Sequence, residues 1–236
     1  DECGPLWAAL VERLDAPVFQ SPEWARTWMR HCGGDAEPWI VVGEGTEPYV
    51  WPFVLTRRGP YRVLRSLGEG VSDYLGPICA DPAFAVRDAA PLLLRGAGWL
   101  GHLDLKSLAI GDDALALLEA ALPGATRRVY ERCPFIRTEE SFARYLEDQK
   151  KKFRANWKRT LRRTEAHGKV DFGLSAFSEE IFAEIQMVER ESWKWENGTA
   201  YLSDPRRVAF LRAVLAQPAM GSEIWTCRID GALAAF

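Results

Sequence analysis

Gln149 to His167 reads QKKKFRANWKRTLRRTEAH. Eight Lys and Arg residues fall between Lys150 and Arg163, and no Asp or Glu interrupts them. Phe153, Trp157 and Leu161 stand four apart, so on a helix they form a narrow apolar stripe able to dock on a body. The same spacing sets Lys151, Arg154, Lys158 and Arg162 along one flank of that stripe, and Lys152, Arg159 and Arg163 along the other. Such a helix either reads a polyanionic ligand or turns an ordinary charged face to water.

The rest of the chain gives this helix its electrostatic setting. The 236 residues carry 30 Lys and Arg against 33 Asp and Glu, a formal charge of -3. Setting aside the eight cations of residues 150–163 leaves 22 against 33, a balance of -11. A cationic strip on an acidic body concentrates its field in one place, which suits a localised anionic substrate better than a protein that coats nucleic acid. Hydrophobic residues at 47%, with ten Trp and eleven Phe, are enough for one large domain or two smaller ones. No apolar run is long enough to span a bilayer and the start, DECGPLWAAL, lacks the regions of a signal peptide, so a cytoplasmic location is expected. Cys3, Cys32, Cys79, Cys133 and Cys227 are scattered with no C-x-x-C pair. They read as reduced and mostly core, with neither a disulfide framework nor a zinc site.

Local signals place the elements. Ser21-Pro22-Glu23 opens a helix with Ser21 as N-cap, and Trp24 and Trp28 share one face. Trp39–Val42 and Tyr49–Leu55, separated by GEGTEP, predict a hairpin. Further strands are expected at Arg62–Leu67, Tyr74–Ala80, Leu100–Ala109 and Arg127–Arg137, with helices at Phe84–Ala97 and Asp112–Leu122. After the basic helix, Gly168 is expected in the C′ position, followed by a strand over Lys169–Ala176. Ser178 opens a long helix whose shared face is Ile181, Ile185, Val188 and Ser192. Asp204-Pro205 opens another, with Val208, Leu211 and Leu215 on its buried side. Glu223–Ile229 is a strand leading into a two-residue Asp230-Gly231 turn of type I′. A chain that halted a few residues beyond that turn would leave an open edge, so the natural protein is expected to continue past Phe236. The fold class is α/β (α+β), each half a mostly antiparallel mixed sheet flanked by helices, with the halves taken as residues 1–140 and 141–236.

Few motifs carry chemistry. Arg65, Gly68 and Gly70 spell R-x-x-G-x-G, a pattern that presents backbone N–H groups to a pyrophosphate when a helix follows at once. Here Val71 to Pro77 follows, which is turn and strand material, so the preferred reading is a turn whose Asp73 and Tyr74 face a cleft. His31, His102 and His167 are isolated and form no metal set or nucleophile-base pair, and no metal is expected. Glu189, Glu191, Trp193 and Trp195 crowd the end of the long helix. Core packing is the expectation for the tryptophans, and the carboxylates leave a general base possible but unassigned.

Several stretches together resemble one family. Val18-Phe19-Gln20-Ser21-Pro22-Glu23-Trp24, Leu67-Gly68-Glu69-Gly70-Val71-Ser72-Asp73-Tyr74 and Cys133-Pro134-Phe135-Ile136 look like the CelD-like (cellulose-biosynthesis) branch of the GNAT acyltransferases. Lys152-Phe153-Arg154-Ala155-Asn156-Trp157-Lys158-Arg159, then Gly168-Lys169-Val170-Asp171-Phe172, then Ile229 to Phe236 continue the likeness in order. Tandem architecture of this kind is also similar to the FemA/FemB-type aminoacyltransferases. The resemblance implies two GNAT-like modules, residues 1–140 on the substrate side and 141–236 opening a second module cut short at its C-terminus. Acyl-CoA, acetyl-CoA foremost, is implied as co-substrate, bound on the strand after the Asp230-Gly231 turn and on elements beyond Phe236. The chain departs from the pattern at Trp157 and Lys158, where members usually carry Leu and Arg; Lys keeps the charge and loses the bidentate fork.

The reading that results is an N-acyltransferase acting in polysaccharide biosynthesis. An amine attacks the thioester carbonyl, a carboxylate or water chain takes its proton, and backbone N–H donors steady the oxyanion. The acceptor is expected to be anionic, a small molecule or a nucleotide-linked sugar, held by Lys152, Arg154, Arg159 and Arg163. Asn156 on the same stretch, Trp193, and Asp73 with Tyr74 complete the expected substrate-contacting set. A FemA/FemB-type enzyme using charged tRNA is the alternative, for which the basic helix would be a phosphate contact. A non-catalytic GNAT-like binding module is the third reading.

Overall fold

The computed structural model describes residues 3–99, 101–129, 133–136 and 141–236. In chain order the elements are α1 (Gly4–Arg13), α2 (Pro22–His31), β1 (Glu37–Gly43), β2 (Tyr49–Arg58), β3 (Tyr61–Ser66), α3 (Pro82–Ala97), β4 (Gly101–Asp104) and α4 (Gly111–Ala121). They continue with α5 (Phe142–Asp148), α6 (Lys151–Glu165), β5 (Val170–Ser175), α7 (Glu179–Arg190), α8 (Trp193–Glu196), α9 (Pro205–Leu215), β6 (Ile224–Ile229) and β7 (Ala232–Ala235). The chain forms two compact units, one of residues 1–130 with 205–220, the other of residues 131–204 with 221–236.

In the first unit β2 is the strand around which both faces are built. Its order is β1-β2-β3-β4, with β1, β2 and β3 antiparallel and β4 parallel to β3. Alternation along β2 sends Tyr49, Trp51, Phe53 and Leu55 to one side, against Ala85, Val86, Ala89 and Leu93 of α3 and Ala114 and Leu118 of α4. Val50 and Val54 go to the other side, against Trp7 and Leu10 of α1, Trp24 and Trp28 of α2, and Phe210 and Val214 of α9. A strand buried on both faces needs the unbroken apolar run that YVWPFVL provides. Pro52 is tolerated inside it because the peptide groups of residue 52 point toward β3, whose pairing with β2 begins only at Phe53. The Pro52 carbonyl there accepts Leu67 N–H at 3.1 Å, so no ladder bond is lost for want of a donor.

Local chemistry explains the helix starts. Ser21 Oγ accepts Trp24 N–H at 3.1 Å with Pro22 at the first helical position, as expected. Trp24 and Trp28 are both buried. Phe210 meets the Trp24 ring edge-on at 5.0 Å, and Gln217 Nε2 donates to Thr27 Oγ1 at 3.2 Å, which fixes α9 on α2.

The second unit has a three-stranded antiparallel sheet, order β5-β6-β7. One face of it carries Ile224 and Thr226, both buried, and helix α7 supplies buried Ile181, Phe182 and Ile185. Arg228 donates to both carboxylate oxygens of Glu184 on α7, at 3.0 and 2.5 Å. The turn between β6 and β7 has positive φ at Asp230 (48°) and Gly231 (87°), as a type I′ turn requires. The fold is therefore α/β, with a four-stranded mixed sheet and a three-stranded antiparallel sheet, both flanked by helices.

Several local expectations are corrected. Tyr74–Ala80 is not a strand: Gly76-Pro77 interrupts it, and the segment is held by single bridges, Leu75 to Leu108 and Val50 to Ile78. β4 stops at Asp104 because its partner β3 ends one residue past the Arg65–Asp104 pairing, leaving Leu105 to Ala109 only the isolated Leu75–Leu108 bridge. Arg127–Val129 and Cys133–Ile136 form no strand; the rest of that expected strand, Tyr130, Glu131, Arg132 and Arg137, lies outside the described residues. α7 buries Ile181, Phe182, Ile185 and Glu189 rather than the face through Val188 and Ser192. α9 buries Phe210 and Val214 rather than Val208, Leu211 and Leu215, because its orientation follows the Trp24 ring. Ala166 is the C-cap of α6, so Gly168 lies one position beyond the expected C′. No disulfide forms among the cysteines: Cys133 is exposed and the other four are half-buried, with Cys3, Cys32 and Cys79 packed against the edges of the core rather than inside it. No helix among the described residues is long and apolar enough to cross a membrane.

Candidate functional site

The basic run folds as α6, fifteen residues without Gly or Pro. Its cations are distributed against its own dipole at one end and with it at the other. Lys150 to Lys152 crowd the positive N-terminus with no side-chain cap, a repulsion that a bound anion relieves; Arg162 and Arg163 favour the C-terminus. No residue of α6 is buried. The apolar stripe is covered only in part, by α5: Phe142 meets Trp157 at 5.6 Å between ring centres and Tyr145 meets Phe153 at 6.3 Å, both edge-on. Arg154 Nη1 donates to the Glu147 carbonyl at 3.1 Å, satisfying a carbonyl near the end of α5 and tying the two helices.

Two shallow hollows result. One, about 550 Å³, lies between α5 and α6 and is bordered by Leu146, Glu147, Lys151, Arg154, Trp157 and Lys158 among others. The second, about 430 Å³, is bordered on α6 by Lys158, Arg159, Arg162 and Arg163, with Ala155 and Ala166 giving it room. Arg159 Nη2 donates to Asn156 Oδ1 at 2.7 Å, which orients its guanidinium along the helix. Lys151, Lys152, Lys158, Arg162 and Arg163 make no side-chain hydrogen bond or ion pair with a described residue. Four cations around one small hollow, none of them paired with a described carboxylate, can hold a phosphate or carboxylate group.

Of the expected substrate-contacting residues, Arg154 borders the first hollow and Arg159 and Arg163 the second, with Asn156 as the partner of Arg159. Lys152 is on the same helix and exposed, bordering neither. Trp193 opens α8 and is 65% exposed, and Trp195 is exposed too, with Arg190 5.9 Å over its ring; the expected core packing of these tryptophans does not occur. A single helical turn offers too little surface to bury two indoles. Asp73 and Tyr74 belong to the first unit; both are exposed, Tyr74 lying 6.4 Å from the Phe19 ring. Lys158 and Arg162 were not in the expected set, although the four-residue spacing that groups them with Arg154 was visible in the sequence.

The remaining motifs are occupied by structure. No helix follows Arg65, Gly68 and Gly70 until α3 begins at Pro82. Arg65 pairs with Glu69 at 3.8 Å, Glu69 with Lys106, and Lys106 with Asp104 at 3.1 Å, so that loop is knitted to the one after β4. The two carboxylates hold the Lys106 ammonium above the usual lysine pKa, Glu69 more strongly than Asp104. Glu189, the buried carboxylate of α7, accepts Tyr201 N–H at 2.9 Å and Leu202 N–H at 2.7 Å, which engages both its oxygens in a structural cap. Glu191 is exposed.

No curated protein and no solved structure matches the chain. Residues 151–236, from the first residue of α6 through β7, match the family model of the acetyltransferase (GNAT) domain.

Proposed function

We propose that this protein is an N-acyltransferase that moves an acyl group, acetyl foremost, from acyl-CoA to an amine on an anionic acceptor such as a nucleotide-linked sugar. The observation that carries this reading is the match of residues 151–236 to an acetyltransferase (GNAT) domain, which supports acyl transfer in general. The acceptor class rests on the hollow bordered by Lys158, Arg159, Arg162 and Arg163. An acceptor phosphate held there is fixed by charge-assisted hydrogen bonds, and its amine is positioned for attack on the thioester carbon. The amine nitrogen forms the new C–N bond, the C–S bond breaks, the coenzyme leaves as the thiolate, and the ammonium proton passes to a base or to water. We give Glu189 a structural role rather than that of the base, because each of its carboxylate oxygens accepts a backbone N–H. Transfer from charged tRNA is the second reading, favoured by the number of uncompensated cations on α6.

The test is transfer of label from radioactive acetyl-CoA to UDP-glucosamine and, in parallel, to glucosamine, which lacks the phosphates. Faster labelling of the nucleotide sugar supports the reading. Absence of acetyl-CoA binding and of transfer to any phosphorylated amine, together with a tRNA mobility shift that weakens steeply with salt, moves the assignment to the tRNA-dependent enzyme.

A further inference from the structure

We infer that the α5–α6 hairpin is a docking surface for a negatively charged lipid bilayer. The inference does not rest on the acyl-transfer reading. Three observations on the same surface carry it. First, α6 lies outside the core: none of its residues is buried. Second, the Phe153–Trp157–Leu161 stripe, half-buried at Trp157 and Leu161, stays open at Phe153 and at the adjoining Phe142 of α5, with Lys and Arg on both sides of it. Phe153 is 43% exposed and Phe142, contributed by α5, 58% exposed. Third, charge complementarity selects this surface, since residues 150–163 carry eight cations and the rest of the chain sums to -11. Long Lys and Arg side chains flanking the stripe can reach lipid phosphates while their stems lie along apolar surface.

A phosphate polymer accounts for the cations and not for the rings. Stacking of unpaired bases needs an open aromatic face. Phe142 already has Tyr145 stacked on it at 6.0 Å and Trp157 at 5.6 Å, so two neighbours engage its ring. Shallow insertion into the headgroup region needs exposed apolar area rather than a free ring face, and it uses the flanking cations with it.

The experiment is flotation of the full chain with vesicles of phosphatidylcholine alone and of phosphatidylcholine mixed with phosphatidylglycerol. The protein is expected to float with the mixed vesicles at low salt and not with the neutral ones. Removing charge in the Lys158→Gln, Arg162→Gln, Arg163→Gln variant is expected to lower partitioning about fivefold for each cation removed. The Phe142→Ser, Phe153→Ser variant, changed only at exposed rings, is expected to lower partitioning roughly tenfold or more while leaving retention on heparin unchanged. Far-ultraviolet circular dichroism checks that it is folded; the charge variant supplies an independent reading if it is not. The proposal is overturned by absence of flotation with the anionic vesicles, by equal flotation with neutral ones, or by a folded double-serine variant that floats like the parent. Binding of tRNA without binding of vesicles also overturns it. Acetyl-CoA titration of the same preparation reports separately on the acyl-transfer reading, so either can fail alone.

Discussion

Asp230 accepts the backbone N–H of Lys169 at 2.8 Å through Oδ1, and its own N–H donates to the Lys169 carbonyl at 2.9 Å. This reciprocal pair fastens the segment leaving α6 to the β6–β7 turn, next to the first β5–β6 pairing of Val170 with Ile229. Gly168 makes the approach possible. Its φ is +149°, and a Cβ at that position would overlap the Asp230 carboxylate. Gly168→Ala is therefore expected to destabilise the second unit by about 2 kcal/mol or more, from backbone strain and displacement of Asp230. Asp230→Ala should cost about 1–2 kcal/mol, and Asp230→Asn less, since Asn keeps the acceptor and tolerates positive φ. Denaturant unfolding followed at the same wavelength for all three checks the order.

Glu189 is the residue most easily mistaken for a catalytic base, being a buried carboxylate near the end of a helix. Its two bonds to Tyr201 and Leu202 N–H predict a different phenotype. Glu189→Gln keeps one acceptor oxygen and turns an amide toward the other N–H, costing about 1–3 kcal/mol of stability. The melting temperature should fall, while the pH profile of transfer by the folded enzyme stays unchanged. A lost ionisation in that profile at unchanged stability would reassign Glu189 to the chemistry.

How much of this was legible in the sequence depended on how far apart the partners are. The Ser21 cap, the β1–β2 hairpin and the Asp230-Gly231 turn are local, and each is written in a few consecutive residues. The basic helix was equally plain, but its spacing read as two separate flanks, Lys158 and Arg162 on one and Arg159 and Arg163 on the other, whereas the two pairs meet around one hollow. Which face α9 buries was not, because Phe210 and Val214 are selected by Trp24, nearly two hundred positions earlier in the chain. The same holds for Trp24 Nε1, whose acceptor is Ser72 Oγ at 2.9 Å. Hydrophobicity made Tyr74–Ala80 look like a strand; strand formation needs a partner edge, and only Leu75 and Ile78 find one. Trp193 and Trp195 read as core by residue type, whereas a one-turn helix gives them little to pack on.

Arg228 holds the Glu184 carboxyl below its ordinary value of 4.5, chiefly through the hydrogen bonds between them. A carboxyl depressed in the folded state contributes stability above its unfolded pKa and loses it as pH falls through the folded value. The attachment of α7 to β6 is thus expected to weaken below about pH 4.5. Unfolding free energies measured from neutral pH into the acid range should decline there, and Glu184→Gln should flatten that part of the decline.

The cysteines should separate by environment. Burial, with lesser contributions from Asp81 and Glu47, pushes the Cys79 thiol up to about 11. Cys133 is exposed. Since the thiolate is the reacting species, a maleimide at neutral pH should modify Cys133 quickly and Cys79 slowly. Cys133→Ser should remove the fast phase, which peptide mass analysis of the labelled protein would confirm.

Arg159 and Arg163 are expected to act on the acceptor's charge rather than on the amine. Their guanidinium groups border one hollow with Lys158 and Arg162, and Asn156 Oδ1 holds Arg159 in orientation at 2.7 Å. Losing a charge-assisted hydrogen bond costs about 1.5–3 kcal/mol, so Arg159→Gln or Arg163→Gln should raise KM for UDP-glucosamine by roughly 10-fold to 100-fold. The KM for glucosamine should hardly change, because it brings no phosphate to the hollow, and kcat should be similar in both cases since the cations bind ground state and transition state alike. Arg159→Lys keeps the charge without the fork and should fall between the parent and the Gln variant. Asn156→Ala removes only the orientation, so its effect should be a smaller rise in KM in the same direction. Equal losses with both sugars would show instead that the helix supports the fold of the acyl-transfer site and does not read the acceptor.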